Sequence, residues 1–200
     1  MPAPSKAVAY IEMEDYLVLE NASLHKHEYL DGLIYAIQGE PVRGMAGGSQ
    51  THSRIIRNAG YAMHGKLTGT PCEVLSTEMR LRVAAANAVF YPDVLVHCQA
   101  VGNPATTVEL TEARLVIEVL SPTTQHFDRG DKLQAYQKLD GLQHIILLSS
   151  MEEAAWSCQR VPADAAWTPL APWPPGTPLP LDGLGLTLGW DEVYAGVGLR

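Results

Sequence analysis

The spacing of apolar residues changes several times along the chain, and each spacing predicts a different element. The segment "MEDYLVLEN" predicts a short N-terminal helix. In "HEYLDGLIYAI", Asp31-Gly32 stands between two apolar runs, which predicts a β-hairpin. From Gln50 to Leu67, after the Gly-rich entry "GMAGGSQ", apolar residues recur at helical spacing. This part of the chain is therefore expected to contain a helix, a hairpin and an amphipathic helix.

The middle of the chain is rich in Val, Leu and Ile and predicts a sheet. Strands are expected in "CEVLSTEMRLRV", "FYPDVLVHC" and "ARLVIEVLS". The next segment, "TTQHFDRGDKLQAYQKL", predicts one helix that ends near Asp140-Gly141, and "QHIILLSS" predicts a further buried strand. Because a helix separates two strands here, we expect a crossover unit whose strands are parallel neighbours.

The C-terminal part of the chain is rich in proline. Short strands around "AAWSCQRV" and "GLGLTL" are expected to close the edge of the sheet. Between them, the Pro-rich segment from Thr168 to Gly183 is expected to be a surface loop, since proline cannot occupy a central strand or a helix interior. Tryptophans are expected to cover the sheet or line its rim rather than to stack on bases: Trp156, Trp167, Trp173 and Trp190.

These elements predict an α/β or α+β fold with a mixed β-sheet flanked by helices. A chain of 200 residues with 46% hydrophobic content is long enough for one core and short for two, so residues 1–200 are expected to form a single domain. Its expected parts are an N-terminal helix and hairpin over 10–38, a core over 50–150, and C-terminal strands with the Pro-rich loop over 151–200.

The bulk composition indicates a soluble protein of a reducing compartment. No apolar run approaches the ~20 residues that a membrane-spanning helix needs, and the N-terminus lacks the long apolar segment of a secretory signal. Cys72, Cys98 and Cys158 are odd in number and far apart, with no C-x-x-C pair, which argues against a disulfide framework and a zinc knuckle. We therefore expect a cytoplasmic protein without membrane association.

The charge balance bears on possible partners. The formal net charge is -8, from 22 acidic and 14 basic residues, which is unfavourable for gripping nucleic acid over a broad surface. A locally basic cleft, or one whose acidic groups are neutralised by divalent cations, stays compatible with this charge.

Two carboxylates stand in apolar strands and need partners. Glu118 lies inside "LVIEVL", and Asp93 follows Pro92 at the head of "VLV". An unpaired ionised carboxylate in a buried strand costs several kcal/mol or more. If the two strands are neighbours, both side chains can converge on one point and hold a hard divalent cation such as Mg²⁺. On the following helix, Asp128, Lys132 and Tyr136 have the spacing of one helix face, which would aim a lysine at the ion.

Structural explanations compete with each of these assignments. Glu118 could belong to a structural ion pair, Asp93 could serve a turn, and Lys132 could simply be solvated. Asp31 fits a tight turn better than a catalyst. The spacing of His25-Lys26-His27 suits a pair of metal ligands on a strand, but no third ligand follows at a suitable spacing.

The ordered set of motifs resembles the Uma2-like proteins, restriction-endonuclease-like members of the PD-(D/E)xK superfamily. The resemblance rests on "HEYLDG", Pro92-Asp93-Val94, "VIEVLSPTT", "FDRGDKLQAYQKL" and "LDGLGLTL", which occur in this order over most of the chain. It implies a restriction-endonuclease-like fold and a Mg²⁺-dependent or Mn²⁺-dependent nuclease.

The resemblance also assigns roles to particular residues. It implies that Asp93 and Glu118 are metal ligands, together with the backbone carbonyl of Val119. The lysine of the E-x-K element is missing, because Leu120 stands there, and a migrated version of the motif implies Lys132 in its place. Glu28 matches an N-terminal acid of the family that completes the metal shell or acts on a water. His52, Asp128 and Tyr136 are candidates for supporting roles.

Two functions of different classes follow. The first is a Mg²⁺-dependent endonuclease that hydrolyses phosphodiester bonds, in DNA rather than RNA, without a covalent intermediate. The second is a catalytically inactive module of the same fold that binds nucleic acid or a protein partner. The net charge favours the module, whereas retention of Asp93, Glu118 and Lys132 favours the enzyme, and we expect the enzyme. Both functions allow a homodimer, since cutting two strands takes two active sites.

Overall fold

The structure is a computed structural model that describes residues 10–36, 49–100, 102–161 and 166–199. The described helices are α1 Met13–Ala22, α2 Gln50–Leu67, α3 Gln125–Arg129, α4 Asp131–Tyr136 and α5 Trp190–Tyr194. The described strands are β1 His27–Leu30, β2 Leu33–Ala36, β3 Glu73–Ser76, β4 Arg80–Val83, β5 Ala88–Phe90, β6 Val94–His97, β7 Glu109–Leu110, β8 Leu115–Leu120, β9 His144–Ser149, β10 Ala155–Gln159, β11 Ala171–Trp173, β12 Leu179–Leu181 and β13 Leu186–Leu188.

Two β-sheets form the framework. One has the strand order β11-β10-β9-β8-β6-β3, and the other has the order β2-β1-β5-β4-β7. β8 and β9 are parallel and are separated in the chain by α3 and α4, so the predicted crossover unit is confirmed. β6 runs antiparallel to β8, and β12 pairs with β13 in a separate ribbon. Helices and mixed sheets together confirm the α+β class.

Opposite faces of β8 contact two different parts of the core. Leu115, Ile117 and Val119 pack with the apolar face of α2, whereas Val116 and Leu120 pack with α4 and with strands of the other sheet. Side chains alternate along a strand, so Glu118 points to the same side as Val116 and Leu120. The carboxylate is therefore directed into the layer between the two sheets.

The N-terminal elements confirm the sequence predictions. β1 and β2 form a hairpin in which Leu30 pairs with Leu33, and the turn residues Asp31 and Gly32 have φ angles of 45° and 88°. Two positive φ angles are what a two-residue hairpin turn of type I′ requires, and Asp-Gly tolerates them. The α2 helix spans the predicted residues. The ends of the predicted hairpin segment, at 37–38, and most of the Gly-rich entry lie outside the described residues.

Several predicted elements are divided in the structure. The segment "CEVLSTEMRLRV" contains two strands, β3 and β4, which belong to different sheets and are separated by a turn at Thr77, where φ is 32°. Likewise, β5 and β6 replace the single strand expected in "FYPDVLVHC". The predicted long helix is interrupted at Gly130, whose φ and ψ of -107° and -106° are not helical, and it ends at Tyr136. The short turns that divide these segments were not predicted from the sequence.

The C-terminal prediction also needs correction. The Pro-rich segment contains β11 and β12, and their prolines, Pro172 and Pro180, are tolerated because β11 is an edge strand and β12 belongs to a two-stranded ribbon. The strand in "GLGLTL", β13, pairs with β12 and does not close the main sheet. Trp173 and Trp190 are buried and Trp156 and Trp167 are half-buried, as expected of core and rim residues.

The cysteine prediction was wrong, because Cys72 and Cys98 form a disulfide. Glu73 pairs with His97 in the β3–β6 ladder, so the cysteines next to them lie opposite one another despite a sequence separation of 26 residues. Cys158 is buried and has a free thiol. Spacing along the chain did not reveal this strand register. Among the described helices, none combines the length and apolar character needed to cross a membrane.

Candidate active site

Asp93 and Glu118 face one another across neighbouring strands. Val94 pairs with Ile117, so Asp93, the residue before β6, lies opposite Glu118 on β8. Residues directly opposed in an antiparallel pair have Cβ atoms ~5 Å apart and point to the same side. Asp93 Oδ2 also accepts a hydrogen bond from the backbone N–H of Val119 at 2.7 Å, which fixes its orientation. The strand register thus creates the expected carboxylate pair.

Lys132 reaches this pair from α4. Its Nζ lies 2.9 Å from Glu118 Oε1, 2.7 Å from Glu28 Oε1 and 3.6 Å from Asp128 Oδ1. Its side chain is only 5% exposed. The break at Gly130 does not move Asp128 and Lys132 apart, because both helix fragments pack toward the same buried cluster. A single buried ammonium therefore compensates three carboxylates.

Three further side chains complete the cluster. The Tyr136 hydroxyl donates to Glu118 Oε1 at 2.6 Å, and it is buried. Glu28, on β1, accepts a hydrogen bond from the backbone N–H of Tyr91 at 3.1 Å. His52, in the first turn of α2, places Nε2 3.8 Å from Asp93 Oδ2. Elements from both sheets and both sides of β8 therefore meet at this point.

Burial and like charges shape the titration of the cluster. Burial raises the pKa of Glu118 well above its ordinary value, and the neighbouring Asp93, Asp128 and Glu28 add to this while Lys132 opposes it. Burial also raises the pKa of Asp93, against the lowering influence of His52 and the Val119 N–H. The pKa of Lys132, which burial alone would lower, is instead held well above its ordinary range by Glu118, Glu28 and Asp128. Lys132 is thus a permanent cation, and ionisation of Asp93 and Glu118 is less favourable than ionisation of exposed acids.

The donor set suits a hard divalent cation. Glu118 Oε2 and Asp93 Oδ1 accept no hydrogen bond from the described residues, so each acid keeps one oxygen available. Carboxylate oxygens are the ligands that Mg²⁺ uses, usually one or two of them with the remaining positions held by water. No group of three or more His, Cys, Asp or Glu side chains is arranged to hold an ion anywhere in the described ranges. Asp93 and Glu118 are the two neighbouring acids whose free oxygens could contact an ion at this point.

The structure brings together every side chain that the sequence analysis placed at the site, and their catalytic roles stay predictions. The contact made by Val119 differs from the expected one. Val119 was expected to offer its carbonyl oxygen, whereas the contact that the structure shows is the donation from its N–H to Asp93. Leu120, at the position of the missing lysine, is 1% exposed and packs in the apolar layer beside the site.

A second buried network, which sequence reasoning missed, lies behind the site. Glu20, near the end of α1, accepts hydrogen bonds from the His27 backbone N–H at 3.0 Å, from His27 Nδ1 at 3.0 Å and from the Tyr91 hydroxyl at 2.8 Å. His27 adjoins Glu28 and Tyr91 lies two residues before Asp93. Glu20 lies seven residues after Met13 and four after Tyr16, on the buried face of α1, whereas Glu14 and Asp15 are exposed, so this spacing is the signal that could have identified it.

Replacing Glu20 by alanine is expected to lower the free energy of unfolding by about 2–3 kcal/mol, because buried donors on His27 and Tyr91 lose their acceptor. Urea denaturation at pH 7 measures the change. Glu14→Ala, at an exposed position on the same helix, is the matched control and should stay within about 0.5 kcal/mol of the parent. Equal effects of the two substitutions would show that the network adds no stability.

Comparison with known proteins identifies the family of this chain. The model of the Uma2 family, described as "Putative restriction endonuclease", matches residues 13–191, and the chain therefore belongs to the Uma2 family. This confirms the resemblance noted in the sequence.

Two relatives match over three quarters of the chain or more. The uncharacterized protein slr1290 of Synechocystis sp. is 31% identical over 195 residues, which cover 98% of this chain and 97% of that protein. A second Synechocystis protein, sll1609, is 28% identical over 157 residues, covering 76% of this chain and 82% of its own length. The crystal structure of "a putative nuclease belonging to DUF820" from Anabaena variabilis is similar with a TM-score of 0.71 at 18% identity, and the match covers 94% of this chain and 99% of that one. This last likeness supports the fold.

Proposed function

We propose that the protein is an endonuclease that hydrolyses phosphodiester bonds in DNA, with Mg²⁺ or Mn²⁺ as its cofactor. The observation that carries this proposal is the opposition of Asp93 and Glu118 across β6 and β8, with the Lys132 ammonium 2.9 Å from Glu118. Membership of a family described as a restriction endonuclease supports the same activity.

Asp93 and Glu118 are proposed to hold the metal. When bound, the ion would lower the pKa of a water and stabilise negative charge on the pentacovalent phosphate. The ionised carboxylates of Asp93 and Glu118 repel one another. A divalent cation would offset that repulsion with two positive charges, whereas Lys132 supplies only one. The raised pKa of both acids also means that protons compete with the metal, so binding of the ion should strengthen with pH.

Lys132 is proposed to act as a fixed positive charge. Its pKa lies well above the ordinary range, so the side chain stays protonated at neutral pH and is unsuited to accept a proton from water. An ammonium at this position can instead stabilise charge that develops on the phosphate. The proton of the attacking water must then pass to a carboxylate, and Glu28, within 2.7 Å of Lys132, is the candidate acceptor.

Purified protein is expected to nick and linearise supercoiled plasmid DNA in Mg²⁺ or Mn²⁺ and to be inactive in EDTA. Asp93→Asn, which keeps the shape of the side chain, should reduce the rate by at least about 100-fold. Gel electrophoresis with and without metal measures both. Cleavage that persists in EDTA, or that is unchanged in Asp93→Asn, would contradict the proposed chemistry. Because two strands are cut, the proposal includes a homodimer with one site per subunit.

A catalytically inactive module is the second candidate. It is favoured by the ion pairs of Lys132, which satisfy Glu28 and Glu118 without any metal, and by the leucine at position 120. In that case the protein would bind nucleic acid or a protein partner without cutting. The plasmid cleavage assay separates the two functions, since an inactive module leaves the DNA intact in every metal.

A further inference from the structure

The disulfide between Cys72 and Cys98 fastens an edge strand. It lies next to the Glu73–His97 pair, at one end of the β3–β6 ladder, and β3 is the edge strand of the six-stranded sheet beside β6. The two cysteines are 26 residues apart in the chain, and the segment between them includes β4, β5 and Asp93. The bond therefore closes a long loop that carries one of the proposed metal ligands.

The other end of the β3–β6 ladder adjoins the candidate active site. Ser76 pairs with Val94, the residue that follows Asp93. The backbone N–H of Thr77 donates to the carbonyl of Pro92 at 3.1 Å. A four-residue edge strand is an element that opens locally at low free energy unless something fastens it. Loss of the disulfide is therefore expected to loosen β3 and, through Thr77, the backbone that leads into Asp93.

The disulfide can be approached from solvent. Cys72 and Cys98 are both half-buried, and they line a cleft of about 370 Å³ between the end of α2 and the turn that links β12 to β13. Arg114, whose side chain is 34% exposed, lines the same cleft and forms an ion pair with Glu112. A guanidinium near a cysteine favours the thiolate that must leave when a disulfide is opened. Exposed disulfides are also the ones that exchange readily with thiols.

We propose that the Cys72–Cys98 bond is a reversible redox switch, opened in the folded protein by a low-molecular-weight thiol that enters this cleft. A thiolate of the small molecule attacks one sulfur, forms a mixed disulfide with it and releases the other sulfur as a thiolate. A second small thiolate attacks the mixed disulfide, frees the second cysteine and leaves the small molecules joined as their own disulfide. Two electrons thus pass from two small thiols to the protein, and the oxidised small molecule reverses both steps. The inference does not depend on the nuclease function.

Equilibration of the folded protein with glutathione buffers tests the exchange. After alkylation, peptide mass spectrometry should show Cys72 and Cys98 labelled together in excess reduced glutathione, and both unlabelled again after transfer to oxidised glutathione. Cys158 is the internal control, because it is buried and burial raises the pKa of its thiol to about 11, so it should stay unlabelled in both buffers. If Cys72 and Cys98 become labelled only after urea is added, the bond is a permanent structural link and the proposal is wrong.

Hydrogen–deuterium exchange in the same buffers tests the structural consequence. At labelling times short enough that the central strand β9 stays protected in both states, the amides of β3 and Thr77 should take up deuterium in the reduced protein alone. Cys72→Ser should reproduce this uptake without any added thiol, whereas Cys158→Ala should keep the response to glutathione. Equal uptake by β3 in the reduced and oxidised proteins would show that the bond does not control this strand.

Reduction is also expected to lower the melting temperature by about 5–10 °C, because the unfolded chain regains the freedom of the loop that the bond closes. Thermal unfolding followed by circular dichroism, with and without reduced glutathione, measures the shift. Cys72→Ser should melt at the temperature of the reduced parent and should not respond to glutathione. A melting temperature of the parent that is the same in both buffers would contradict the switch.

Discussion

Replacing Glu118 by glutamine is expected to lower the rate of DNA cleavage by at least about 1,000-fold, since losing a metal ligand removes several kcal/mol of transition-state stabilisation. The fold should persist, because the amide oxygen can still accept the hydrogen bond that Tyr136 donates. Plasmid cleavage in Mg²⁺ measures the first effect, and urea denaturation measures the second. A cleanly purified Glu118→Gln protein that cuts at the parent rate would point to a contaminant or to a different site.

Stability should even rise in this variant at neutral pH. The pKa of Glu118 is raised in the folded state by burial and by its acidic neighbours. An acid whose pKa is raised by folding stabilises the folded state below its unfolded pKa, where it is protonated. That contribution is lost as the pH rises through the folded pKa, so the ionised carboxylate of Glu118 lowers stability at pH 7. Glutamine has no such cost. The gain over the parent should therefore shrink as the pH falls toward about 4.5, where the parent is protonated as well.

Replacing Lys132 by methionine is expected to lower the free energy of unfolding by about 3–5 kcal/mol and to abolish cleavage. Methionine keeps much of the volume, but Glu28, Glu118 and Asp128 lose the buried cation that all three contact. The pKa of Lys132 is raised, so its contribution is complete below about pH 10.5 and is lost only as the pH rises through the folded value. The full loss should thus appear at pH 7, in urea denaturation.

A rescue variant separates charge from simple misfolding. Leu120 points to the same side of β8 as Glu118 and packs beside the site, so Leu120→Lys in the Lys132→Met protein returns a cation from the motif's usual position. Part of the stability and of the activity should return. Lys138→Met, at an exposed position, should change neither. Full activity in Lys132→Met alone would exclude a catalytic role for this lysine.

The two carboxylates could be singled out from local features, whereas their pairing depends on β6 and β8 being neighbours in one particular register. Glu118 stands inside an apolar strand and Asp93 directly before one, and an isolated buried charge requires a partner wherever the strands lie. Lys132 was singled out by its spacing to Asp128 and Tyr136, and these side chains still meet despite the break at Gly130, because both helix fragments face the same cluster. A single glycine in a helical pattern is a weak signal, so the break itself was not predictable.

The features that were missed depend on tertiary register. Cys72 meets Cys98 only because β3 pairs with β6 in one particular alignment, and composition carries no information on that alignment. Glu20 shares the buried face of α1 with Met13 and Tyr16, but its partners His27 and Tyr91 are brought to it only by the tertiary fold. The segment that contains β5 and β6 was predicted as one strand, because only three residues separate the two strands, although they belong to different sheets.

The central claim is that Asp93 and Glu118 hold the metal of a nuclease, and a crystal soaked in Mn²⁺ tests it most directly. An anomalous peak is expected within about 2.0–2.6 Å of an oxygen of each carboxylate, and it should be lost in Glu118→Gln crystals soaked in the same way. A peak bound elsewhere, or no peak at a concentration of Mn²⁺ that supports cleavage, would contradict it.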